Sequence, residues 1–249
     1  MKEYTTGILL QGRKENWTIP IIEEYQQNFP DSEIVVSTWD YEDVSDIPCK
    51  VIQTKLPETT HPYESTKNYQ IIGCRNGLKE MTSDIILKTR TDMFVHNPNI
   101  FEIFLAENTE KIIFPYCGFA KESRDYWIAD YAQLSTRKTL LNYWNLMPLH
   151  DGTTNEAVEK YVTRNYVLKI KNDDRPWDIV RDEYFLEKRY HEDFQIEFEK
   201  YAYLESHQDY VLSASMETVS DDRLFKLLDT SNMKIKLKDL IKESVLGEM

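Results

Sequence analysis

Short β-rich apolar runs alternate with stretches whose apolar residues recur at helical spacing through the first half of the chain. That alternation predicts βαβ units around a largely parallel sheet. Thr6–Gln11 (TGILLQ) reads as the first strand, with Gly12 and Arg13 at its carboxyl end. Ile19–Asn28 predicts a helix, with Pro20 in its first turn and Phe29-Pro30 closing it. Glu33–Ser37 predicts a second strand running into Thr38, Trp39 and Asp40, and Lys50–Gln53 a weaker third. Between Lys67 and Met81, Ile71, Cys74, Leu78 and Met81 fall at helical spacing despite the propensity cost of Gly73 and Gly77. Asn68 and Arg75, seven residues apart, share one side of that helix.

Ile85–Lys88 predicts the fourth strand, and it leads directly into Thr89, Arg90, Thr91 and Asp92. Asn99–Leu105 reads as helix, Ile112–Cys117 and Tyr126–Leu134 as strands, and Arg137–Trp144 as helix. Thr153 and Glu156 have the spacing of a capping box opening a helix to about Val162. Tyr166–Ile170 reads as strand, and Ile179–Tyr190 as helix after the acidic loop Asn172–Asp178. In the tail, Lys236–Leu246 places Leu237, Leu240, Ile241 and Val245 on one helical face. The expected architecture is an α/β fold with a Rossmann-related, mostly parallel central sheet flanked by helices. It divides into one domain over residues 1–215 and a helical C-terminal extension over 216–249 packed on it.

Ligands of an open parallel sheet sit beyond the carboxyl ends of its strands. Three strand ends therefore define the first candidate site: Gln11, Gly12 and Arg13; Thr38, Trp39 and Asp40; and Lys88, Arg90, Thr91 and Asp92. A carboxylate can accept from ribose hydroxyls, an aromatic ring can stack on a base, and Arg or Lys can neutralise a diphosphate. Neither G-x-G-x-x-G nor G-x-x-x-x-G-K-[ST] occurs, which disfavours a dinucleotide dehydrogenase or a P-loop enzyme. Asp130, set among apolar and aromatic neighbours in Tyr126–Leu134, is a carboxylate costly to bury unless used or paired.

Composition narrows the classes further. With 249 residues, 41% hydrophobic, and no Gly/Ser or Pro tract, the chain reads as a globular cytoplasmic protein. A formal net charge of −13 opposes nucleic-acid binding. Cys49, Cys74 and Cys117 have no metal-ligand spacing and are expected as reduced thiols, and the lone His191 and His207 read as ordinary surface residues. The amphipathic Lys236–Leu246 segment fits packing on its own domain better than peripheral contact with a membrane surface.

The segments ILLQGR (8–13), FPDSEIVVSTW (29–39), the helix with Asn68, Gln70 and Gly77-Leu78, LKTRTD (87–92) and WIADY (127–131) together resemble the WavE-type glycosyltransferases of lipopolysaccharide synthesis. That resemblance implies a GT-A-like fold and transfer of a sugar from a nucleotide-sugar donor to a hydroxyl of a glycan or glycolipid acceptor. It also implies a donor site that includes Asn68 and Arg75, with Mn2+ or Mg2+ held by Asp92. GT-A enzymes commonly place D-x-D after this strand, whereas this chain has Arg90-Thr91-Asp92, so Arg90 or Lys88 is expected to share in neutralising phosphate. Asp130 is the first candidate for the base that deprotonates an acceptor, since a partly desolvated carboxylate can have a raised pKa, and Glu183 is the second. A sugar nucleotidyltransferase is disfavoured because the loop after the first strand, QGRKENW, is poor in glycine. A non-catalytic glycan-binding or scaffold domain is the alternative that the missing first acid supports.

Overall fold

The computed structural model describes residues 4–116 and 125–199. Its centre is a seven-stranded sheet in the order β3-β2-β1-β4-β7-β6-β8. The strands are β1 (Thr6–Gln11), β2 (Glu33–Trp39), β3 (Lys50–Thr54), β4 (Ile85–Arg90), β6 (Ile112–Pro115), β7 (Gln133–Thr136) and β8 (Phe185–Lys188). A short β5 (Met93–Val95) pairs antiparallel with β9 (Ile196–Phe198) in a separate ribbon. Within the main sheet only β7 opposes the common strand direction, so the sheet is mostly parallel, as the alternating pattern predicts.

Strand alternation sends side chains to two packed faces. Ile8, Leu10, Ile34, Val36, Ile85 and Leu87 face one core, filled by α1 (Thr18–Asn28), α3 (Ile100–Glu107) and the β5–β9 ribbon. Leu9, Val35 and Ile86 face the other, filled by α2 (Lys67–Glu80), α4 (Arg137–Asn145), α5 (Val158–Asn165) and Val180 of α6 (Trp177–Tyr184). Helix α2 lies close on the sheet because its glycines permit it. A Cβ on Gly77 would stand 2.4 Å from Leu9 Cδ1, and one on Gly73 would stand 2.8 Å from Gln11 Cγ. Ser37 Oγ donates to the Gly73 carbonyl at 2.7 Å across the same contact.

Four sequence expectations are corrected by tertiary contacts. Of the strand expected over Tyr126–Leu134, only the end forms, as part of β7. Before Gln133 the chain leaves the ladder, and the side chains of Lys88 and Gln70 hold the Asp130 carbonyl instead. The helix expected from the Thr153 capping box starts later, at Val158, because Thr153 donates to Asp151 and Glu156 accepts from Arg164. Tyr166–Ile170 is a π-helical turn continuing α5 rather than a strand, with the Tyr166 ring packed 4.6 Å from Tyr143. A short apolar run does not separate strand from buried helix by periodicity alone. The helix expected over Ile179–Tyr190 ends at Tyr184, and Phe185–Lys188 instead adds edge strand β8 beside β6.

Among the described residues, no helix is long and apolar enough to cross a membrane. Cys49 and Cys74 are free thiols, and burial pushes Cys74 up to about 12, which keeps it protonated and inert. Cys117, His207, the Lys236–Leu246 segment and the expected extension over 216–249 lie outside the described residues.

Candidate active site

Register brings the three strand ends together. Gln11 is paired with Ser37 of β2 on one side and with Arg90 of β4 on the other, so the residues that follow each strand emerge along one edge. Gly12 then turns at φ 146°, a conformation that favours glycine, and a Cβ there would meet Thr91 Oγ1 at 2.5 Å. The Thr91 hydroxyl donates to the Arg13 carbonyl at 2.5 Å, and Gly12 N–H donates to the Ser37 carbonyl at 3.1 Å, which locks the three loops to one another.

Beyond this edge lies a cleft of about 950 Å³. Gln11, Gly12, Arg13, Trp39, Arg90, Thr91, Asp92 and Asp130, all candidates from the sequence, line it. Trp39 is almost wholly buried and meets Tyr69 edge-on at 5.7 Å, so any base would meet the rim of this aromatic pair rather than a free indole face. Asp130 is buried, and its Oδ2 has no hydrogen-bond partner among the described residues. A buried carboxylate oxygen without a donor is costly unless something arrives to use it.

Arg90 and Asp92 form a bidentate pair, with Nε to Oδ1 and Nη2 to Oδ2 both at 2.7 Å. The guanidinium also lies 5.8 Å from the centroid of the Phe198 ring. The strand expected to present a metal carboxylate thus presents a carboxylate already held by a cation. Among the described residues, no group of three or more His, Cys, Asp or Glu side chains could hold a metal ion. The strand-end carboxylate expected to hold Mn2+ or Mg2+ is engaged by Arg90 through both of its oxygens.

Several candidates lie elsewhere. Lys88 was expected in the crevice but is wholly buried, two residues short of the strand end on the face of Ile86. Its ammonium donates to the Asp130 carbonyl and stands 5.2 Å from the Trp144 ring centroid, so it supports the segment carrying Asp130 from beneath. Asn68 and Arg75 do share one side of α2, but that side faces the chain after α4. Asn68 exchanges two hydrogen bonds with the His150 backbone, and Arg75 donates to the Met147 carbonyl at 2.7 Å. Thr38 is buried beside the strand end, and Asp40 is exposed outside the cleft lining. Glu183 lies on α6, half exposed and paired with Arg175 at 2.5 Å, and does not line the cleft. His191, expected at the surface, is buried.

Other lining residues have no motif to mark them. Thr66, which caps α2, and Tyr69 and Gln70 in its first turn line the cleft. Phe198 and Glu199 arrive from the end of β9. Glu199 N–H donates to the Asp92 carbonyl at 2.8 Å, and its carboxylate accepts from Trp17 N–H at 2.9 Å. Glu159, at the start of α5, and Trp127 close the side near Asp130. Of these, Tyr69, Gln70 and Trp127 belong to segments that the family resemblance singles out.

Comparison with solved structures yields distant likenesses. Glucosyl-3-phosphoglycerate synthase from Mycobacterium tuberculosis, solved with Mn2+, UDP and phosphoglyceric acid, is 12% identical over 71% of this chain and 73% of that one, with a TM-score of 0.43. A 4-diphosphocytidyl-2C-methyl-D-erythritol synthase is 12% identical over 66% of this chain and 86% of that one, at a TM-score of 0.41. The apo-form glycosyltransferase GlyE of Streptococcus pneumoniae TIGR4 is 11% identical over 67% of this chain and 44% of that one, also at 0.41. Scores this low assign no site residue. No curated protein matches the chain. The family comparison is more direct: residues 9–168, which run from within β1 past the end of α5, match the family described as WavE lipopolysaccharide synthesis, and the chain belongs to that family.

Proposed function

We propose that the protein is a glycosyltransferase that moves a sugar from a nucleotide-sugar donor to a hydroxyl of a glycan or glycolipid acceptor. The observation that carries this reading is the convergence of the β1, β2 and β4 ends on one cleft, with cations on its near edge and the buried carboxylate of Asp130 among its lining. Arg13 and Arg90 would meet the diphosphate, and Trp39 with Tyr69 would flank the nucleoside. Asp130 would take the acceptor proton as the hydroxyl oxygen bonds to the sugar C1 and the C1–O bond to the nucleoside diphosphate breaks. Lys88 would act indirectly, fixing the backbone on which that base stands. A family tied to lipopolysaccharide synthesis supports a glycan or glycolipid as the acceptor class.

The arginine at the first position of R-T-D favours a second reading, a nucleotide- or glycan-binding domain without turnover. Two measurements separate the readings: thermal shift with UDP, GDP, CMP and their sugars, and release of nucleoside diphosphate in the presence of saccharide acceptors. One nucleotide class should raise Tm, because selective binding to the native state stabilises it. Asp130→Asn should keep that shift and lower transfer by about 10²- to 10⁴-fold, the usual contribution of a positioned base. A nucleotide shift without release under any acceptor would establish the binding-only reading. Absence of any nucleotide shift would remove both the donor site and the transferase.

A further inference from the structure

We infer that Arg90 stands in for the divalent ion at this site, so that the donor diphosphate binds to a guanidinium held by Asp92 without a metal. The inference rests on reading the cleft as a nucleotide-sugar site and goes beyond it by naming what neutralises the leaving group.

The geometry carries the step. Asp92 is the carboxylate at the end of β4, and Arg90 occupies both of its oxygens at 2.7 Å. A hard divalent ion would have to share or displace a charge-assisted, bidentate pair on a carboxylate that is itself 6% exposed. The other carboxylates lining this edge are engaged too: Glu199 accepts from Trp17 N–H at 2.9 Å, and Glu15 pairs with Arg13 at 3.4 Å. Arg90 is oriented on a second side by Phe198, whose strand is tied to Asp92 through Glu199. An arginine aimed by a carboxylate and an aromatic ring is pre-organised, and its planar fork matches phosphate oxygens better than a flexible lysine would. Asp92 on this account is a positioning residue for Arg90 rather than a metal ligand.

The test uses the whole chain, with UDP, GDP, CDP and ADP as probes. Binding is measured by titration calorimetry with EDTA and again with Mn2+, and Mn2+ binding is followed separately by the loss of its free-ion spin-resonance signal. In the wild type, the nucleotide that binds should do so with equal affinity in EDTA and in Mn2+, and the Mn2+ signal should stay unchanged. Arg90→Lys, which keeps the charge and the fold but loses the fork, should weaken binding by about tenfold or more, as expected for charge-assisted hydrogen bonds. Arg90→Asp, which places two carboxylates where one cation stood, should bind Mn2+ and make nucleotide binding depend on it. Nucleotide affinity in the wild type that disappears with EDTA and returns with Mn2+ would overturn the inference and leave the transferase reading standing. Failure of every nucleotide to bind under both conditions would overturn that reading, and the inference with it.

Discussion

At Lys88, the sequence and the structure differ over a single step along a strand. The run I-I-L-K-T-R-T-D reads as an apolar strand delivering three charges to a crevice, yet Ile86, Lys88 and Arg90 share one face, and consecutive members of that set are separated by about 7 Å. Arg90 therefore reaches the edge while Lys88 stays under α4. Lys88 donates to the buried Asp130 carbonyl beneath Trp144, and removing one partner of a buried hydrogen bond costs more than the bond's net worth. Lys88→Met should accordingly lower unfolding free energy by about 1–3 kcal/mol. It should also lower transfer about tenfold while leaving nucleotide affinity intact, because the Asp130 backbone loses its donor from below. Steady-state kinetics beside a urea melt would show it, and unchanged transfer would make Lys88 a packing residue only. Gly77 gives the opposite kind of residue effect. Alanine would improve helix propensity by up to about 1 kcal/mol, but its Cβ would press 2.4 Å from Leu9 Cδ1 and 3.0 Å from Ser37 Cβ in the packed core. Overpacking should win, and Gly77→Ala should lose about 1–3 kcal/mol in the same melt.

Among the elements, the β5–β9 ribbon is one that no pattern in the chain predicts, and it carries Phe198 and Glu199 into the cleft. Besides its apolar packing, it is tied to α1 by buried polar contacts. His96, fully buried after β5, contacts Glu24 of α1 at 2.7 Å through Nδ1 and Glu197 of β9 at 3.2 Å through Nε2. Burial lowers the His96 pKa, but hydrogen bonds and charges from Glu197 and Glu24 outweigh it, and the net shift is upward. A raised histidine pKa means that the folded state holds the proton more tightly than the unfolded chain. This contribution is complete below about pH 6.5, the unfolded value, and is lost as pH rises through the higher folded value. Melting temperature measured across that range should therefore fall more steeply for wild type than for His96→Gln. Parallel curves would show that the imidazole is neutral between its two carboxylates.

On the scale of the whole molecule, β1 and β4 form the centre of the sheet, each paired on both sides and covered by both cores, whereas β3 and β8 are its edges. Local opening costs least where strands are unpaired on one side and burial is thin. Hydrogen exchange should find the amides of Ile8–Leu10 and Ile86–Lys88 slowest and those of Lys50–Thr54 and Phe185–Lys188 faster. Uniform exchange across the sheet would mean that it opens as one unit. The near edge of the cleft thus rests on the central strands, while its far wall comes from β9, paired only with β5, and from Trp127–Tyr131, which the side chains of Lys88 and Gln70 hold at the Asp130 carbonyl.

What the chain determines by itself is the part set by local periodicity. The strands over Thr6–Gln11, Glu33–Trp39 and Ile85–Arg90 and the helices between them follow from runs and spacings that only one secondary structure can bury. Parallel connection then places Gln11, Arg90 and the loop after Trp39 on a common edge, so that half of the cleft was legible from position alone. The other half depends on contacts between residues far apart in sequence. The pairing of Asp92 with Arg90 through both of its oxygens, and of the Asn68 amide with the backbone at His150, 82 positions away, has no mark in the sequence. The ion pair of Glu183 with Arg175 is likewise unmarked in the sequence. Periodicity reports which face of an element is buried. Which polar groups meet across elements depends on the packing angle and register of the assembled sheet, and that only the tertiary structure decides.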